Sequence, residues 1–168
     1  MTYYICVLDF EATCWEGERN DSIREIIEFP SILYSVDFKN NITKIDEFDK
    51  FIKPTINPIL SEFCSKLTGI TQNTVDCADT FDIVYYQHHQ WLQGHISDLN
   101  KMIIITCGRW DISDILPLEI RRHSLEHYNC YKKYVNIRDD FNTFYDKNAG
   151  SMVNMLTKLK LKLWNHTK

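Results

Sequence analysis

Runs of apolar and β-branched residues separated by polar segments make up the first third of the chain. The first run, Tyr3 to Phe10, contains a single acid and predicts a buried strand. The polar stretch at 15–24 then predicts a loop. Two further runs, Ile26 to Phe38 and Ile42 to Ile52, predict strands, and the polar residues at 39–41 between them predict a hairpin. Three consecutive strands in a meander are therefore expected to open the fold.

The hydrophobic spacing becomes helical after the prolines at 54 and 58. Pro58, preceded by Asn57 as an N-cap, predicts the start of a helix that ends at Gly69. Apolar residues between Phe81 and Leu92 recur at three- and four-residue steps, which predicts a longer helix with one apolar face. The continuous apolar run at 102–106 predicts a central strand that is buried on both faces.

Three more elements are predicted in the rest of the chain. They are a helix after Asp111, in spite of Pro117, a strand over Tyr134–Ile137 and a helix over Ser151–Leu161. The resulting order of three strands, helices, strand, helix, strand and helix is typical of a mixed α/β domain. In such a domain the sheet forms the middle layer between helices.

The composition is that of an ordinary globular protein. Of the 168 residues, 44% are hydrophobic and 25% are charged, and the chain has only five Gly and four Pro, which excludes disordered and fibrous classes. A chain of this length can bury one core, so residues 1–168 are predicted to form a single domain. The formal net charge of −4 gives no bulk attraction to nucleic acid. A metal-loaded active site would, however, supply its own positive charge.

The N-terminus and the cysteines bear on the cellular compartment. The first residues carry no cationic region and reach an acid after six apolar or aromatic residues, so neither a signal peptide nor a membrane span is predicted. The six cysteines form no CxxC pair. Reduced thiols in an intracellular protein, cytoplasmic or nuclear, are therefore expected.

Three acidic residues are the candidates for chemistry. Asp9 and Glu11 stand two apart at the end of the first predicted strand, so their carboxylates point to one face. One interpretation is a strand end whose acids point into water. Asp111 favours another, because it follows the strand at 102–106 after a short link, and neighbouring strands would bring three carboxylates together. Mg²⁺ or Mn²⁺ needs such an oxygen cluster, and two ions could clamp both oxygens of a phosphodiester cleavage.

Other polar residues receive simpler interpretations. Glu25 and Glu28 alternate with apolar residues and are either supports for the site or exposed strand positions, of which exposure is expected. His88, His89 and His95 have no Cys or acid that completes a zinc spacing, so they are expected to be solvated or core residues.

Four stretches of sequence resemble one known family. They are YICVLDFEATC at 4–14, EIIEFP at 25–30, LSEFCSKLTGITQNTVDCADTF at 60–81 and CGRWDISDIL at 107–116, with a weaker match, YVNIRDDFNTFY, at 134–145. The family is the DEDD-type (DEDDh) 3′→5′ exonucleases of the ribonuclease H-like superfamily. The sequence is most similar to the histone-mRNA 3′-exonuclease or Eri1-like group.

The resemblance implies a fold and an activity. The fold would be a three-layer ribonuclease H-like domain with a mixed sheet, three antiparallel strands first and parallel strands afterwards, flanked by helices. The activity would be a metal-dependent 3′→5′ exonuclease that hydrolyses single-stranded nucleic acid from its 3′ end by a two-metal mechanism. RNA is the expected substrate and DNA the alternative. The cofactors would be Mg²⁺ or Mn²⁺, two ions in a complete site, and no membrane partner is expected.

The resemblance also assigns roles to particular residues. Glu11 would help to position the attacking water, and the backbone at Ala12 would lie along the terminal nucleotide. Phe63 and Trp110 would contact the 3′-terminal bases, where stacking tolerates any sequence. Phe63 also fits a second interpretation, as part of a helical stripe in the core. The metal ligands would be Asp9, Glu11 and Asp111.

The family's third motif, a His followed by an Asp on the last helix, is not completed here. His166 is followed by no acid. The chain is therefore expected to stop before that motif, to lack the last helix, to expose apolar surface and to show little activity alone. Two alternatives remain open: an inactive module that binds nucleic acid 3′ ends or a partner protein, and a DNA-directed proofreader on the same fold.

Overall fold

The fold, taken from a computed structural model, is described for residues 2–17, 23–145, 148 and 150–162. The strands are β1 (Tyr3–Leu8), β2 (Glu11–Ala12), β3 (Ile26–Glu28), β4 (Ser31–Val36), β5 (Ile42–Phe48), β6 (Met102–Thr106) and β7 (Tyr134–Asn136). The α-helices are α1 (Glu62–Thr68), α2 (Gln72–Asp76), α3 (Phe81–His95), α4 (Leu116–Arg122), α5 (Ile137–Tyr145) and α6 (Met152–Lys158). Short 3₁₀ turns lie at Leu99–Lys101 and Asn129–Tyr131, and a π-helical segment lies at Trp110–Ile115.

A five-stranded mixed sheet in the order β5-β4-β1-β6-β7 forms the centre of the fold. β1 is antiparallel to β4, and β4 is antiparallel to β5, which confirms the predicted meander. β6 lies parallel to β1 on its other side, with Val7 opposite Ile105, and β7 lies parallel to β6. The predicted mixed sheet flanked by helices is confirmed.

The sheet buries one face more completely than the other. Cys6 and Leu8 point into the main core, where α3 and α4 pack. Val7, on the opposite face, keeps 38% of its surface exposed. In β6 the buried positions alternate with partly buried ones, so the prediction that this strand is buried on both faces was wrong. The period-two alternation of β-strand side chains explains the difference between the faces.

Two of the predicted strands end sooner than their hydrophobic runs. The run at 26–38 is divided at Pro30, which cannot donate a ladder hydrogen bond, and its first part, β3, pairs with β2 in a separate two-stranded sheet. The run at 42–52 is a strand only to Phe48. Ile52 beyond it forms an isolated bridge with Asp79.

The helices follow their capping residues. α1 begins at Glu62 because Ser61 is its N-cap, so the predicted start at Pro58 was wrong. Its predicted end at Gly69 is confirmed, since Gly69 has φ 75°, the left-handed conformation that glycine favours. The short helices α2 and α5 were not predicted. Within the ranges that the structure describes, no helix is long and apolar enough to cross a membrane.

The apolar stripe of α3 is confirmed, and it includes a histidine. His88 is fully buried, with Nδ1 2.7 Å from the Tyr131 hydroxyl and Nε2 3.0 Å from the Ser31 hydroxyl. Burial lowers the pKa of His88 to about 3, so the imidazole is neutral. His88 is therefore a core residue, as expected from the sequence.

Candidate active site

Asp9 and Asp111 meet where the parallel strands β1 and β6 end. Asp111 is only 6% exposed, and its Oδ1 accepts a hydrogen bond from the backbone N–H of Phe10 at 3.0 Å. That bond joins residues 101 positions apart in sequence. Because both strands run in the same direction, the residues after their carboxyl ends reach the same edge of the sheet. The predicted approach of these two acids is thus seen in the structure.

A tight turn directs Asp111 back towards β1. Gly108 has φ 142°, a value that residues with a Cβ rarely adopt. The Thr106 hydroxyl donates a hydrogen bond to the Gly108 carbonyl at 2.6 Å and so fixes the turn. The π-helical segment then starts at Trp110, one residue before the acid. Such segments are rare and occur often at functional sites.

The carboxyl groups of Asp9 and Asp111 both have raised pKa values, although Asp111 is buried and Asp9 is exposed. Desolvation and the neighbouring charge of Asp111 raise the pKa of Asp9. Burial also raises the pKa of Asp111, and the Phe10 N–H opposes that effect. Two carboxylates held close together repel each other when both are ionised. A bound cation would relieve this repulsion.

Glu11 lies on the neighbouring strand β2, where it stands opposite Glu28 of β3 and is partly exposed. Among the residues that the structure describes, no three His, Cys, Asp or Glu side chains form a group able to hold a metal ion. The structure therefore brings together the pair Asp9 and Asp111. The role of Glu11 as a third ligand stays a prediction.

The N-terminal part of α1 is joined to β2 and to the residues just after it. The Ser61 hydroxyl donates to the Cys14 carbonyl at 2.6 Å, and the Cys64 thiol donates to the Ala12 carbonyl at 3.6 Å. Phe63 is 37% exposed and thus does not lie in the core. Of the apolar residues that could form a core stripe, only Leu60 is buried, whereas Ile59, Phe63 and Leu67 are exposed, so the interpretation of Phe63 as a core residue was wrong.

Trp110 is partly buried. Its indole packs against the main core, and the guanidinium of Arg24 lies over the ring at 5.8 Å from its centroid. The ring thus remains partly available at the surface beside Asp111. Its contact with a terminal base stays a prediction, as do those of Ala12 and Phe63.

Glu25 and Glu28 are buried, each 3% exposed, so the expectation of exposure was wrong. The Glu25 carboxylate accepts backbone N–H bonds from Thr55, Ile56 and Asn57 at 2.7, 2.9 and 2.7 Å. These bonds compensate the burial of the charge. The signal in the sequence was the short segment between two prolines, whose consecutive N–H groups need an acceptor.

Sequence reasoning missed Glu119, which is 1% exposed on α4. Its carboxylate lies 2.5 Å from Arg122 Nη1 and 3.4 Å from His123 Nε2. Burial raises the pKa of Glu119 to about 7, although Arg122 lowers it. No local pattern marks this residue, because its burial depends on how α4 packs. His166, the histidine considered for the third motif, lies outside the described residues.

Comparison with known proteins identifies the class that this fold and acid pair define. The family model described as "Exonuclease" (RNase_T) matches residues 6–166, and the chain belongs to that family. The resemblance to DEDDh 3′→5′ exonucleases of the ribonuclease H-like superfamily is thereby confirmed.

One curated protein and two solved structures illustrate how similar the chain is to members of this family. The chain is 39% identical over 159 residues to the 3′-5′ exoribonuclease 1 of Mus musculus, covering 93% of this chain and 45% of that protein. The solved nuclease domain of 3′hExo, a DEDDh member bound to rAMP, is 37% identical with a TM-score of 0.88, covering 98% of this chain and 82% of the other. The solved structure of cell-death related nuclease 4 is 27% identical to this chain with a TM-score of 0.87, and the match covers 98% of this chain and 57% of the other.

Proposed function

We propose that the chain is a 3′→5′ exonuclease that acts on single-stranded RNA. The observation that carries this proposal is the meeting of Asp9 and Asp111 at one edge of the sheet, fixed by the Phe10 N–H bond to Asp111. Membership of the exonuclease family supports it. RNA is favoured because the relative in Mus musculus is called an exoribonuclease, although the chain spans less than half of that protein.

The acid pair supplies adjacent carboxylate oxygens, which are the hard ligands that Mg²⁺ and Mn²⁺ prefer. The pair is therefore suited to a divalent cation. Asp9 and Asp111 would hold the ion, and Glu11 would complete the set and orient the attacking water. When bound, such ions supply an activated water and stabilise charge on the departing 3′ oxygen. The protein's own contribution is to hold two mutually repelling carboxylates in place before the ion arrives.

The terminal nucleotide would lie between β2, α1 and the π-helical segment. The Ala12 carbonyl is already engaged by Cys64, which fixes the backbone along which the sugar would lie. Phe63 and Trp110 would contact bases through their aromatic faces, which recognise any base. This arrangement predicts removal of nucleotides without strong sequence preference, and release of nucleoside 5′-monophosphates.

Digestion of a 5′-labelled single-stranded RNA in Mg²⁺ or Mn²⁺ tests the proposal. Wild type should give a ladder that shortens from the 3′ end, slowly because no acid follows His166 to complete the third motif, and a DNA of the same sequence tests the preference for RNA. Asp111→Asn keeps an oxygen that accepts from the Phe10 N–H but removes the charge, so the fold should persist. Loss of a group supporting a metal ligand costs roughly 10–100-fold, so loss of a ligand should cost more than about a hundredfold.

Asp49→Asn, at an exposed position, is the matched control and should cleave like wild type. Equal rates for Asp111→Asn and wild type would contradict the assignment of the acid pair. Binding of RNA by wild type without any cleavage would contradict the enzymatic function and leave a binding module.

A further inference from the structure

Two cysteine side chains meet between β2 and α1. Cys14 follows β2, and Cys64 lies in the first turn of α1. Their thiols are in hydrogen-bond contact, and Cys14 packs against the apolar cluster that contains Cys64. All six cysteines of the chain are free, and the proposed reaction needs none of them as a reactant. The pair therefore calls for an explanation of its own.

Short hydrogen bonds hold these two thiols against each other. The Ser61 hydroxyl donates to the Cys14 carbonyl at 2.6 Å and accepts from the Cys64 N–H at 2.9 Å. The Cys64 thiol lies 3.6 Å from the Ala12 carbonyl. Cys64 is thus tied to the chain on both sides of Thr13. Its sulfur cannot move away from Cys14 unless these bonds break.

The two sulfurs differ in their access to solvent. Cys64 is 0% exposed, whereas Cys14 is partly exposed. A small oxidant therefore reaches the Cys14 sulfur first, and the Cys64 sulfur is already in contact with it. An accessible thiol beside a second thiol that can resolve it is typical of redox-sensitive cysteines. Desolvation and the contact with Cys64 raise the pKa of Cys14 to about 11, so the pair stays reduced where no oxidant is present.

We propose that Cys14 and Cys64 are a modification site, at which hydrogen peroxide forms a reversible disulfide that joins α1 to the segment after β2. The Cys14 sulfur attacks one peroxide oxygen, the O–O bond breaks, and the departing hydroxide takes the thiol proton and leaves as water. The Cys64 sulfur then attacks the sulfur of the Cys14 sulfenic acid. The S–O bond breaks, and a second water leaves with the Cys64 proton. Two thiols are oxidised and one peroxide is reduced, and a dithiol reductant reverses the change.

The disulfide alters the place that the proposed function assigns to the terminal nucleotide, and this part of the proposal rests on that function. Oxidation removes the S–H group of Cys64, so the Ala12 carbonyl loses its donor. Phe63 directly precedes Cys64, so a shift of the first turn of α1 also moves the Phe63 ring. Since a displacement of roughly 1 Å can cost about a hundredfold in rate, we expect oxidation to lower the rate of cleavage at least about tenfold.

Peptide mapping by mass spectrometry decides whether the bond forms. The chain is treated with hydrogen peroxide, its remaining thiols are alkylated, and it is then digested. A peptide pair linked through Cys14 and Cys64 is expected, and it should disappear after treatment with dithiothreitol. Cys14→Ser keeps the carbonyl that Ser61 contacts but removes the sulfur, so no linked pair should form. Cys77→Ser, at an exposed position, is the matched control and should form the bond like wild type.

Digestion of the labelled RNA by the reduced and the oxidised proteins tests the effect on the pocket. Wild type and Cys77→Ser should lose at least about tenfold in rate on oxidation and recover in dithiothreitol. Cys14→Ser should cleave like reduced wild type both before and after treatment with peroxide.

Each outcome decides the proposal. Absence of the linked Cys14–Cys64 peptides, or an equal loss of rate in Cys14→Ser and wild type, overturns it and leaves the exonuclease function standing. Equal rates for the oxidised and the reduced wild type also overturn it. A reduced wild type that does not cleave RNA overturns the proposed function, and the peptide map then still decides whether the two cysteines are a modification site.

Discussion

Glu119 makes the stability of this protein depend on pH in an unusual direction. The carboxyl is buried on α4, and its pKa rises from 4.5 to about 7 in the folded state. Between these two values the folded chain binds a proton that the unfolded chain has released. The free energy of unfolding therefore decreases as the pH rises through this window, and the contribution is complete only below it.

The size of the effect follows from the pKa difference. Each unit of pKa shift corresponds to about 1.4 kcal/mol. A shift from 4.5 to about 7 therefore corresponds to about 3 kcal/mol in the free energy of unfolding. Arg122 and His123 contact the carboxylate, and the charge of Glu25 repels it. The pKa of about 7 already includes the opposing effects of Arg122 and Glu25, so the change of about 3 kcal/mol needs no further correction for them.

The assay is urea unfolding of wild type and Glu119→Gln at intervals from pH 4.5 to pH 8. Gln keeps the shape and an acceptor oxygen but cannot ionise. His88 has its pKa lowered to about 3 and so contributes stability that grows with pH, but it does so in both proteins. The difference between the two proteins reports Glu119 together with its contact to His123, which the substitution also changes. The variant should gain roughly 3 kcal/mol relative to wild type across the series, and a constant difference would refute the reasoning.

Two further predictions concern the supports of the site. Glu25→Ala leaves three loop N–H groups without their acceptor and should lower the free energy of unfolding in urea by about 3 kcal/mol. The control Glu62→Ala, at an exposed position, should lower it by less than about 0.5 kcal/mol. Similar losses for both variants would refute the role of Glu25. Ser61→Ala removes the N-cap of α1 and its bond to the Cys14 carbonyl, and should cost about 1–2 kcal/mol in the same assay. Ser65→Ala, inside that helix, is the control, and equal costs for both serines would contradict the capping argument.

The sequence was most informative where its signals were local. The stripe of α3 and the stop at Gly69 were predictable because helical periodicity and a left-handed cap depend only on nearby residues. The division of the second hydrophobic run at Pro30 was overlooked, although the missing N–H was visible in the sequence. The start of α1 was misplaced because Pro58 and Ser61 both carry helix-start signals.

The acid pair was predictable for a different reason. Asp9 and Asp111 each follow a strand, so one assumption about strand neighbours was enough to place them together. Burial of Glu25 and Glu119 could not be inferred in this way. A buried acid needs hydrogen-bond donors that tertiary packing supplies. For Glu25 a donor is the backbone of Thr55, about 30 residues away in sequence, and for Glu119 it is the backbone of Ile26, about 90 residues away.

The hydrogen bond from Phe10 to Asp111 has a consequence for the order in which the chain folds. The antiparallel strands β4 and β5 are joined by the short turn at 37–41, and β1 pairs with β4 across residues 9–30, so both pairings close smaller loops than the acid pair does. The bond at the acid pair closes a loop of 101 residues, and it can form only when β6 docks beside β1. Contacts of such high sequence separation are made late and slowly. During synthesis the meander can therefore be complete before the acid pair is assembled.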